Sequence, residues 1–464
     1  MLIDEVMWKL LVSRLRSIIT APKASSLSKL DPSRPVRGTH DRFGEKDVRY
    51  NFIQQTAASV AESYCFEHFT TPILEFSHVF ERTLGNDSDI VGKELYSFTD
   101  KGGDHLTLRP EGTAGIVRAL ISNKLQQFLP QRLYYYGPMF RHERPQKGRL
   151  RQFEQFGIEM FGHNNPASDA EIIDMAWTFL NKIGMGNRVE LEINSLGDHV
   201  SRNQYRDVIR SYFQKHIERL SDDSQRRVKT NPLRVLDSKK PQDASTIASC
   251  PVISDYYTSE SFLRFQNVCK MLDQLGIPYK VNPRLVRGLD YYEETIFEFK
   301  CTDKSLGPTQ DTILAGGRYD CLVKRMGGKE EIPAVGWAAG IDRLALLITP
   351  SLLPLPNRHV AVITVPDKSD SPSVSSELMI ASVQISKSLR TKGIKTLLNH
   401  PRKSQFLALK TAIAQAVKSN ASHVVIIGKN EVETGFVSVK DLDLNTQVEC
   451  KAEDVWRIIE SRSD

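Results

Sequence analysis

The chain has 464 residues, more than one ordinary hydrophobic core organises, so we expect two or three domains. Hydrophobic residues make up 40% and charged residues 25%, as in a globular protein, and the apolar runs are too short for a membrane span, so no membrane partner is expected. The net charge of +6 permits a polyanionic partner without demanding one. The scattered cysteines form no C-x-x-C pair, which argues against a zinc site and a disulfide framework.

The first 33 residues are predicted to be a leader outside the fold. From Met7, the stretch "MWKLLVSRLRSIITAPKASSLSKL" is basic, contains serine and has no acid before Asp31. Its leucines and isoleucines can form one apolar helical face, a combination typical of mitochondrial transit peptides. Asp4 and Glu5 depart from this pattern, and a short surface helix with a flexible tail is the alternative. We predict a mitochondrial matrix protein, with the cytoplasm as the alternative location.

Residues 34–350 show the pattern of an α+β domain built on an antiparallel sheet. A helix is predicted from residue 45 to about 68, because apolar residues recur at spacings of three and four. Strands are predicted in "TPILEFSHVF", "LYSFTD", "HLTLRP", "RLYYYGPMFRHE", "RQFEQFGIEMFG" and "VELEIN", and helices in "AGIVRALISNKL" and from about Ser168 to Ile183. Residues 198 to about 260 are polar with helical periodicity, and we interpret them as an inserted helical subdomain.

Strand patterns return in "VNPRLVRGLDYYEETIFEFK" and "TILAGGRYDCLV", and a helix is predicted from about Ala338. The prolines of "TPSLLPLPNR" mark a linker at residues 351–358. Strands and helices then alternate from residue 359 to residue 464. This alternation predicts a small, largely parallel α/β domain with helices on both faces.

The strand in "RQFEQFGIEMFG" has one unusual polar face. Side chains alternate between the two faces of a strand. One face is apolar and should meet a core: Phe156, Ile158 and Met160. The other offers a ring, an amide, a gap at glycine and a carboxylate: Phe153, Gln155, Gly157 and Glu159. A solvated face needs no glycine, whereas glycine lets a ligand approach the backbone, so we interpret this face as ligand-binding.

A cationic loop precedes this strand. The stretch "MFRHERPQKGRLRQFEQFG" gathers five Arg or Lys residues, beginning with Arg141, against two acids. Arginine forks match phosphate oxygens, so a cationic loop over a polar sheet face suits a nucleoside triphosphate or the end of a nucleic acid. A solvated hairpin tip is the alternative.

Further segments contain candidate site residues. In "LRPEGTAG", Glu111 could fix a substrate ammonium, and Thr113 could either join the site or cap the next helix. "RLVRGLDYYEETIFEF" places Arg287 near two tyrosines, which combine an apolar ring with a polar tip. "AGGRYDCLV" adds Tyr319. "GWAAGIDRL" ends near Arg343, which could reach a terminal phosphate or pair with a nearby acid.

Together these segments resemble histidyl-tRNA synthetase, a class II aminoacyl-tRNA synthetase. "TPILE…VFERTLGNDSDIV" is similar to motif 1, the dimer-forming element, "MFRHERPQKGRLRQFEQFGIEMFG" to motif 2 and "GWAAGIDRL" to motif 3. "LVRGLDYY" and "AGGRYD" resemble the two peptides special to the histidyl enzyme, and "NPLRVLDSK" resembles its bacterial form. The resemblance runs from about Val36 through a C-terminal domain similar to the anticodon-binding domain of this class.

The resemblance implies a ligase that joins L-histidine to tRNA(His) through a histidyl-adenylate, with ATP as substrate and AMP and pyrophosphate as products. Mg²⁺ would accompany the ATP, no protein metal site is expected, and motif 1 implies a homodimer. Arg287 and Arg141 would be catalytic. The histidine pocket would comprise Glu111, Gly112, Thr113, Arg141, Gln155, Glu159, Arg287, Tyr291, Tyr292 and Tyr319. ATP would contact Arg141, Glu143, Arg149, Phe153 and Arg343. The tRNA would contact Arg144 and Gln146.

Leu150, Cys321 and Ala339 depart from residues common in this family, which leaves details of the ATP and tRNA contacts open. Three alternatives share part of the pattern. A regulatory subunit of histidine biosynthesis usually lacks the C-terminal domain and the catalytic arginine, and a tRNA-sensing domain within a kinase would come with kinase motifs. A prolyl, threonyl or glycyl enzyme of the same class would lack "LVRGLDYY".

Overall fold

The computed structural model describes residues 33–84, 90–301, 303, 311–354, 358–366, 372–400 and 406–461. The predicted leader, up to residue 32, therefore lies outside the described residues. The chain divides into two compact units between Leu353 and Pro354. Among the described helices, none combines the length and the apolar character needed to cross a bilayer.

The main sheet of the first unit is assembled from strands spread over most of its length. In the described part of this unit the strands are β1 (Glu67–His68), β2 (Leu74–Phe76), β3 (Tyr96–Thr99), β4 (His105–Leu108), β5 (Gln131–Phe140), β6 (Gln152–Phe161), β7 (Val189–Ser195), β8 (Lys280–Val281), β9 (Glu293–Cys301), β10 (Thr312–Arg318) and β11 (Ala334–Gly340). Eight of them form one sheet in the order β1-β5-β6-β11-β10-β9-β7-β8. Neighbours run antiparallel except at the two ends, where β1–β5 and β7–β8 are parallel.

Helices cover this sheet. They are α1 (Glu45–Ser63), α2 (Ser77–Leu84), α3 (Thr113–Ser122), α4 (Pro166–Lys182), α5 (His199–Lys215), α6 (Asp222–Thr230), α7 (Pro241–Ala248), α8 (Ser259–Gln274), α9 (Leu322–Arg325) and α10 (Ile341–Leu347). On one face, α1, α4, α8 and α10 enclose a core to which β6 contributes Phe156, Ile158 and Met160, all buried. The predicted apolar face of β6 is therefore confirmed, and so is the α+β architecture on an antiparallel sheet.

Some predicted boundaries differ from the structure, and the helix predicted from residue 45 to about 68 is α1, which ends at Ser63. In "TPILEFSHVF" the predicted strand is the three-residue β2, which leads directly into α2 at Ser77. The helix predicted from about Ala338 begins at Ile341, because β11 continues to Gly340 between β6 and β10. At Gly336 a Cβ atom would lie 2.1 Å from Glu159 Oε2, so the small residues of this segment permit close strand packing rather than a helix.

The second unit is a smaller α/β domain. Its described elements are β12 (His359–Thr364), α11 (Pro372–Thr391), β13 (Thr396–Asn399), α12 (Leu409–Lys418), β14 (Ala421–Ile427), α13 (Lys429–Thr434), β15 (Phe436–Asp441), β16 (Gln447–Lys451) and α14 (Val455–Glu460). The strand order is β13-β12-β14-β15-β16, parallel across the first three strands and antiparallel across the last three. Alternate β12 residues enter two cores, with α11 and α14 in one and α12 in the other. The predicted helices on both faces are confirmed, whereas β16 and α13 were not predicted.

Candidate active site

A cavity of about 220 Å³ opens on the polar face of the main sheet. Most residues assigned to a site from the sequence line it, although they come from strands, loops and helices far apart in the chain. The predicted residues in its wall are Glu111, Thr113, Arg141, Glu143, Arg149, Phe153, Gln155, Glu159, Arg287, Tyr291, Tyr292, Tyr319 and Arg343. The structure therefore brings the candidate phosphate-binding and amino-acid-binding groups into one space.

Three predicted residues lie outside the cavity wall. Arg144 and Gln146 are exposed on the loop between β5 and β6, as a contact with a large partner would require. Gly112 packs against the ring of Tyr135, where a Cβ atom would lie 2.1 Å from Cε2. Gly112 therefore serves packing rather than direct contact with a ligand in the cavity.

The floor of the cavity is centred on Glu159 of β6. Thr113 Oγ1 donates a hydrogen bond of 2.6 Å to its carboxylate, and the hydroxyl of Tyr319 donates a second. Burial raises the pKa of Glu159 to about 8, against these hydroxyl donors, which favour the ionised form. Such a carboxyl group changes its protonation near neutral pH and can accept from, or donate to, a substrate ring nitrogen.

The raised pKa of Glu159 has a measurable consequence for stability. Below about pH 4.5 Glu159 is protonated in both the folded and the unfolded state. Between about pH 4.5 and pH 8 the folded state retains a proton that the unfolded state has lost. The contribution of Glu159 to the free energy of unfolding therefore falls as pH rises. Glu159→Gln removes this titration. Relative to wild type, the variant should gain about 3 kcal/mol in free energy of unfolding between about pH 5 and pH 8. Chemical unfolding of both proteins checks this, and a pH-independent difference would contradict it.

Glu111 caps α3 while also facing the cavity. Its carboxylate oxygens accept from the backbone N–H groups of Thr113 at 2.6 Å and Ala114 at 2.9 Å. The helix is thus capped by Glu111, and the hydroxyl of Thr113 is directed to Glu159 instead. Of the two roles considered for Thr113, the structure places its side chain in the site. Burial raises the pKa of Glu111 although these donors and Arg141 lower it.

Three tyrosines form an aromatic wall beside the carboxylates. The ring centroids of Tyr291 and Tyr292 lie 4.7 Å apart, and Tyr319 lies 5.5 Å from Tyr291 and 6.3 Å from Tyr292. All three rings are buried. Across the cavity floor, Gln155 presents a buried side-chain oxygen that has no hydrogen-bond partner in the described part of the chain. An enclosed polar atom without a partner marks a position where a ligand donor would be favourable.

The opposite part of the cavity holds three arginines. Arg141 Nε donates to the carbonyl of Pro110 at 2.9 Å, and its guanidinium lies 5.3 Å from the ring centroid of Phe153. Arg343 donates to the carbonyls of Gly148 and Thr312. Burial, Arg149 and Arg141 together lower the pKa of Arg343 to about 10, which shows how closely the positive charges converge. This charge density suits a polyphosphate.

Each of these arginines differs in its local partner. Arg149 forms an ion pair with Glu143 inside the β5–β6 loop. No carboxylate of a described residue lies within ion-pair distance of Arg343. The acid beside it, Asp342, instead accepts hydrogen bonds of 2.7 Å from the hydroxyl of Tyr50 and the backbone N–H of Glu154. The alternative of an Arg343–Asp342 surface pair is therefore not realised.

Arg287 reaches the cavity from the loop between β8 and β9. Its Nη1 atom forms a 3.1 Å ion pair with Glu298 Oε2. Burial opposes its charged form, but Glu298 and the neighbouring tyrosines leave the pKa of Arg287 raised. Its Nε atom is buried without a hydrogen-bond partner among the described residues. A fixed cation with a spare donor therefore lines the cavity beside the tyrosine wall.

A tyrosine packed beneath the cavity-lining residues was not predicted, and one interpretation was wrong. Gly157 does not leave room for a ligand, since Tyr135, its partner across β5 and β6, fills that space: a Cβ atom at Gly157 would lie 2.3 Å from the Tyr135 hydroxyl. Burial raises the pKa of Tyr135 well above its ordinary value, so this phenol remains neutral beside Glu159. The sequence holds three consecutive tyrosines at this point, with nothing to single out the middle one.

Comparison with known proteins gives the same assignment across both units. A family model described as Histidyl-tRNA synthetase matches residues 38–344, and one described as Anticodon binding domain matches residues 359–462. A histidine–tRNA ligase of Gluconobacter oxydans is 43% identical over 425 residues, which cover 92% of this chain and 98% of the relative. The chain belongs to the histidyl-tRNA synthetase family.

Other members of the histidyl-tRNA synthetase family support this assignment. A Rhodospirillum rubrum histidine–tRNA ligase is 44% identical over 413 residues, covering 89% of this chain and 95% of the relative. The crystal structure of apo S. aureus histidyl-tRNA synthetase shares 30% identity with a TM-score of 0.75, covering 92% of this chain and 99% of that one. The first unit thus has the class II histidyl-tRNA synthetase fold, and the second is its anticodon-binding domain.

The predicted mitochondrial matrix location is wrong. The relatives reported above are bacterial ligases, from Gluconobacter oxydans and Rhodospirillum rubrum. They contradict the assignment of this chain to an organelle. The prediction depended on basic and apolar periodicity in residues 7–30, a pattern that ordinary surface helices also show. Those residues lie outside the described ranges.

Proposed function

We propose that this chain is a ligase that attaches L-histidine to tRNA(His), using ATP and releasing AMP and pyrophosphate. The observation that carries the proposal is the cavity itself, where a buried carboxylate and tyrosine pocket adjoins a cluster of arginines. The full-length similarity to histidine–tRNA ligases supports it. It also disfavours a catalytically inactive regulatory relative and a prolyl, threonyl or glycyl enzyme.

The histidine end of the cavity has groups for each part of the amino acid. Glu159 and Tyr319 form a polar pair that can hydrogen-bond both nitrogens of an imidazole ring. Glu111 provides a fixed carboxylate for the ammonium group. The unpartnered oxygen of Gln155 adds an acceptor, and the rings of Tyr291 and Tyr292 provide an apolar wall. We assign these residues, with Thr113, to the histidine pocket.

The arginine end suits ATP. Arg141 would bind the α-phosphate, and Arg149 and Arg343 would bind the outer phosphates. Phe153 and Glu143 would contact the adenine base. In the first step, an oxygen of the histidine carboxylate attacks the α-phosphorus. The bond from that phosphorus to the bridging oxygen breaks, and pyrophosphate leaves. Charge that develops on phosphate oxygens is stabilised by fixed guanidinium groups, which need no reorganisation at that moment.

Arg287 lines the same cavity and would contact the reacting carboxylate and α-phosphate. In the second step, a terminal ribose hydroxyl of tRNA(His) attacks the acyl carbon of the adenylate, and AMP leaves with the bonding electron pair. The exposed Arg144 and Gln146 lie on the loop at the cavity mouth, where the acceptor end would enter. We assign them to tRNA contact.

Mg²⁺ would bind mainly through the phosphates of ATP. No group of three carboxylate, histidine or cysteine side chains suited to a metal occurs within the described ranges. Mg²⁺ in nucleotide sites typically keeps several waters and uses only one or two carboxylates besides the phosphates. Glu143 lines the cavity and could provide such a carboxylate, although here it pairs with Arg149. The bound metal would neutralise charge on the departing pyrophosphate.

A homodimer is proposed from the small sheet formed by β2, β4 and β3. This sheet is patterned inversely to an ordinary surface sheet. Leu74, Phe76 and Phe98 are exposed by 46%, 48% and 46%, whereas Glu75 and Thr107 on the opposite face are buried. Cross-strand pairs place the three apolar side chains on one face. An exposed contiguous apolar face of this kind is typical of a subunit interface.

Charges placed on this face should separate the subunits. We expect wild type to sediment as a dimer and the Phe76→Asp/Phe98→Asp variant as a monomer, with a dissociation constant raised at least about hundredfold. Analytical ultracentrifugation measures this, and Phe436→Asp, at an exposed position in the second unit, is the matched control that leaves the mass unchanged. A monomeric wild type at micromolar concentration, or a variant that stays dimeric, would reject the proposed interface.

The function is tested by amino-acid-dependent ATP–pyrophosphate exchange with the purified chain and each of the twenty amino acids. Exchange with histidine alone, followed by transfer to tRNA(His), is the expected result. Exchange with another amino acid, or none from well-folded protein, would reject the proposed substrate or the proposed activity.

A further inference from the structure

The loop between β8 and β9 carries much of the candidate site but has no helix or strand of its own from residue 282 to residue 292. Arg287, Tyr291 and Tyr292 project from it into the cavity. A segment without a backbone ladder needs other partners to fix its conformation. Side chains from neighbouring elements hold residues 287–292 in place.

Arg234 makes two of these contacts. It lies in the short 3₁₀ segment Pro232–Val235 that follows α6 of the helical insertion. Its side chain is largely buried, with 9% exposed. Nη2 donates to the carbonyl of Gly288, and Nε forms a 3.1 Å ion pair with Asp290. One guanidinium fork therefore holds two points of the loop next to Arg287.

Neighbouring groups extend this arrangement. Asn231 Nδ2 donates to Asp290 Oδ1 at 2.8 Å, beside Arg234. From α5 of the insertion, Arg202 Nη1 donates to the carbonyl of Tyr292 at 2.7 Å. From α9, Arg325 Nη1 donates to the carbonyl of Asp290 at 3.2 Å. The carbonyls of alternate residues, at positions 288, 290 and 292, thus each accept from an arginine.

We infer that Arg234 and Arg202 are positioning residues, through which the helical insertion fixes the loop that presents Arg287 and Tyr292 to the histidine end of the cavity. This inference rests on the proposed aminoacylation for its kinetic consequences. Neither arginine lines the candidate cavity itself, so each acts through the loop backbone. The planar fork of Arg234 can hold Gly288 and Asp290 together, whereas a lysine ammonium is a compact point charge on a flexible stem.

The inference predicts which kinetic constants change. The histidine pocket depends on residues 287–292, whereas the candidate ATP residues Arg141, Arg149 and Arg343 come from other segments. Loss of charge-assisted hydrogen bonds to the loop should raise the KM for histidine about tenfold in Arg234→Lys and in Arg202→Lys. The KM for ATP should remain within about twofold in both variants.

This split separates positioning from a general loss of structure. A variant that merely folds less completely lowers kcat through the active fraction and leaves both KM values unchanged. Arg210→Lys is the matched control, because Arg210 also lies on α5 but pairs only with the exposed Asp207 among the ion pairs of the described chain. We expect this control to match wild type in both constants. An unchanged KM for histidine in both lysine variants would overturn the inference.

Hydrogen exchange provides a readout that does not depend on activity. Backbone amides of residues 288–292 should exchange faster in Arg234→Lys and Arg202→Lys than in wild type, while β6 keeps its protection. If wild type showed no histidine-dependent ATP–pyrophosphate exchange, the proposed function would fail. Hydrogen exchange would still test whether Arg234 and Arg202 position the loop. Equal exchange of residues 288–292 in wild type and both variants would overturn this positioning role.

Discussion

Arg287→Ala should lower kcat for histidine-dependent ATP–pyrophosphate exchange by about a thousandfold while leaving ATP binding nearly intact. Arg287 is fixed by its ion pair with Glu298 and lines the same cavity as the candidate histidine and phosphate groups. A cation held at that position stabilises charge in the transition state without moving. The candidate phosphate-binding arginines, Arg141 and Arg343, come from other elements, so ground-state ATP affinity should survive the substitution.

Single-turnover adenylate formation and calorimetric ATP binding measure the two quantities separately. Arg226→Ala is a suitable control, because Arg226 lies on the exposed surface of α6 and pairs there with Asp223. Arg287→Lys should recover part of the rate, since it restores charge without the fork. Full turnover in Arg287→Ala would exclude the proposed catalytic role.

Arg141→Ala should reduce kcat/KM for ATP by about a thousandfold, and Arg141→Lys by about a hundredfold. The Nε–H group of Arg141 is engaged by the carbonyl of Pro110, and the guanidinium lies over Phe153. This arrangement leaves the two Nη groups for a ligand. Lysine keeps the charge but loses both the anchored orientation and the bidentate donor pair.

Steady-state exchange at varied ATP measures this loss, and thermal unfolding establishes whether the Arg141 variants remain folded. Because Arg141 is half-buried against Phe153, the alanine variant opens a gap there, so the lysine variant provides the more conservative comparison. A lysine variant equal to wild type would show that charge alone is needed. An alanine variant equal to wild type would remove Arg141 from the site.

The polar face of β6 could be predicted because strand alternation is a local rule. Phe153, Gln155 and Glu159 line the cavity as that rule requires. The use of Gly157 could not be predicted, since the ring that fills its space comes from Tyr135 on the neighbouring strand. Register between β5 and β6 decides that contact, and alternation along each strand does not by itself reveal which residues of the two strands pair.

The same limit explains the other differences. A helix was predicted from about Ala338, but the small residues around Gly336 belong to β11 and permit its close packing against β6. The contacts of Arg202 and Arg234 with the loop near Arg287 span more than fifty positions along the chain, so no local pattern announces them. The grouping of distant site residues was predicted from the ordered set of motifs. The family resemblance carries information about tertiary structure that periodicity lacks.

Arg141, Arg149 and Arg343 converge on one cavity, and burial together with the charges of Arg149 and Arg141 lowers the pKa of Arg343 to about 10. A bound polyanion would oppose the repulsion among these charges. By the proposed function, ATP would supply the opposing charge, and its binding would raise thermal stability by mass action. Sulfate and inorganic phosphate would compete for the same charges, so the apparent stability of the free protein would depend on the buffer anion.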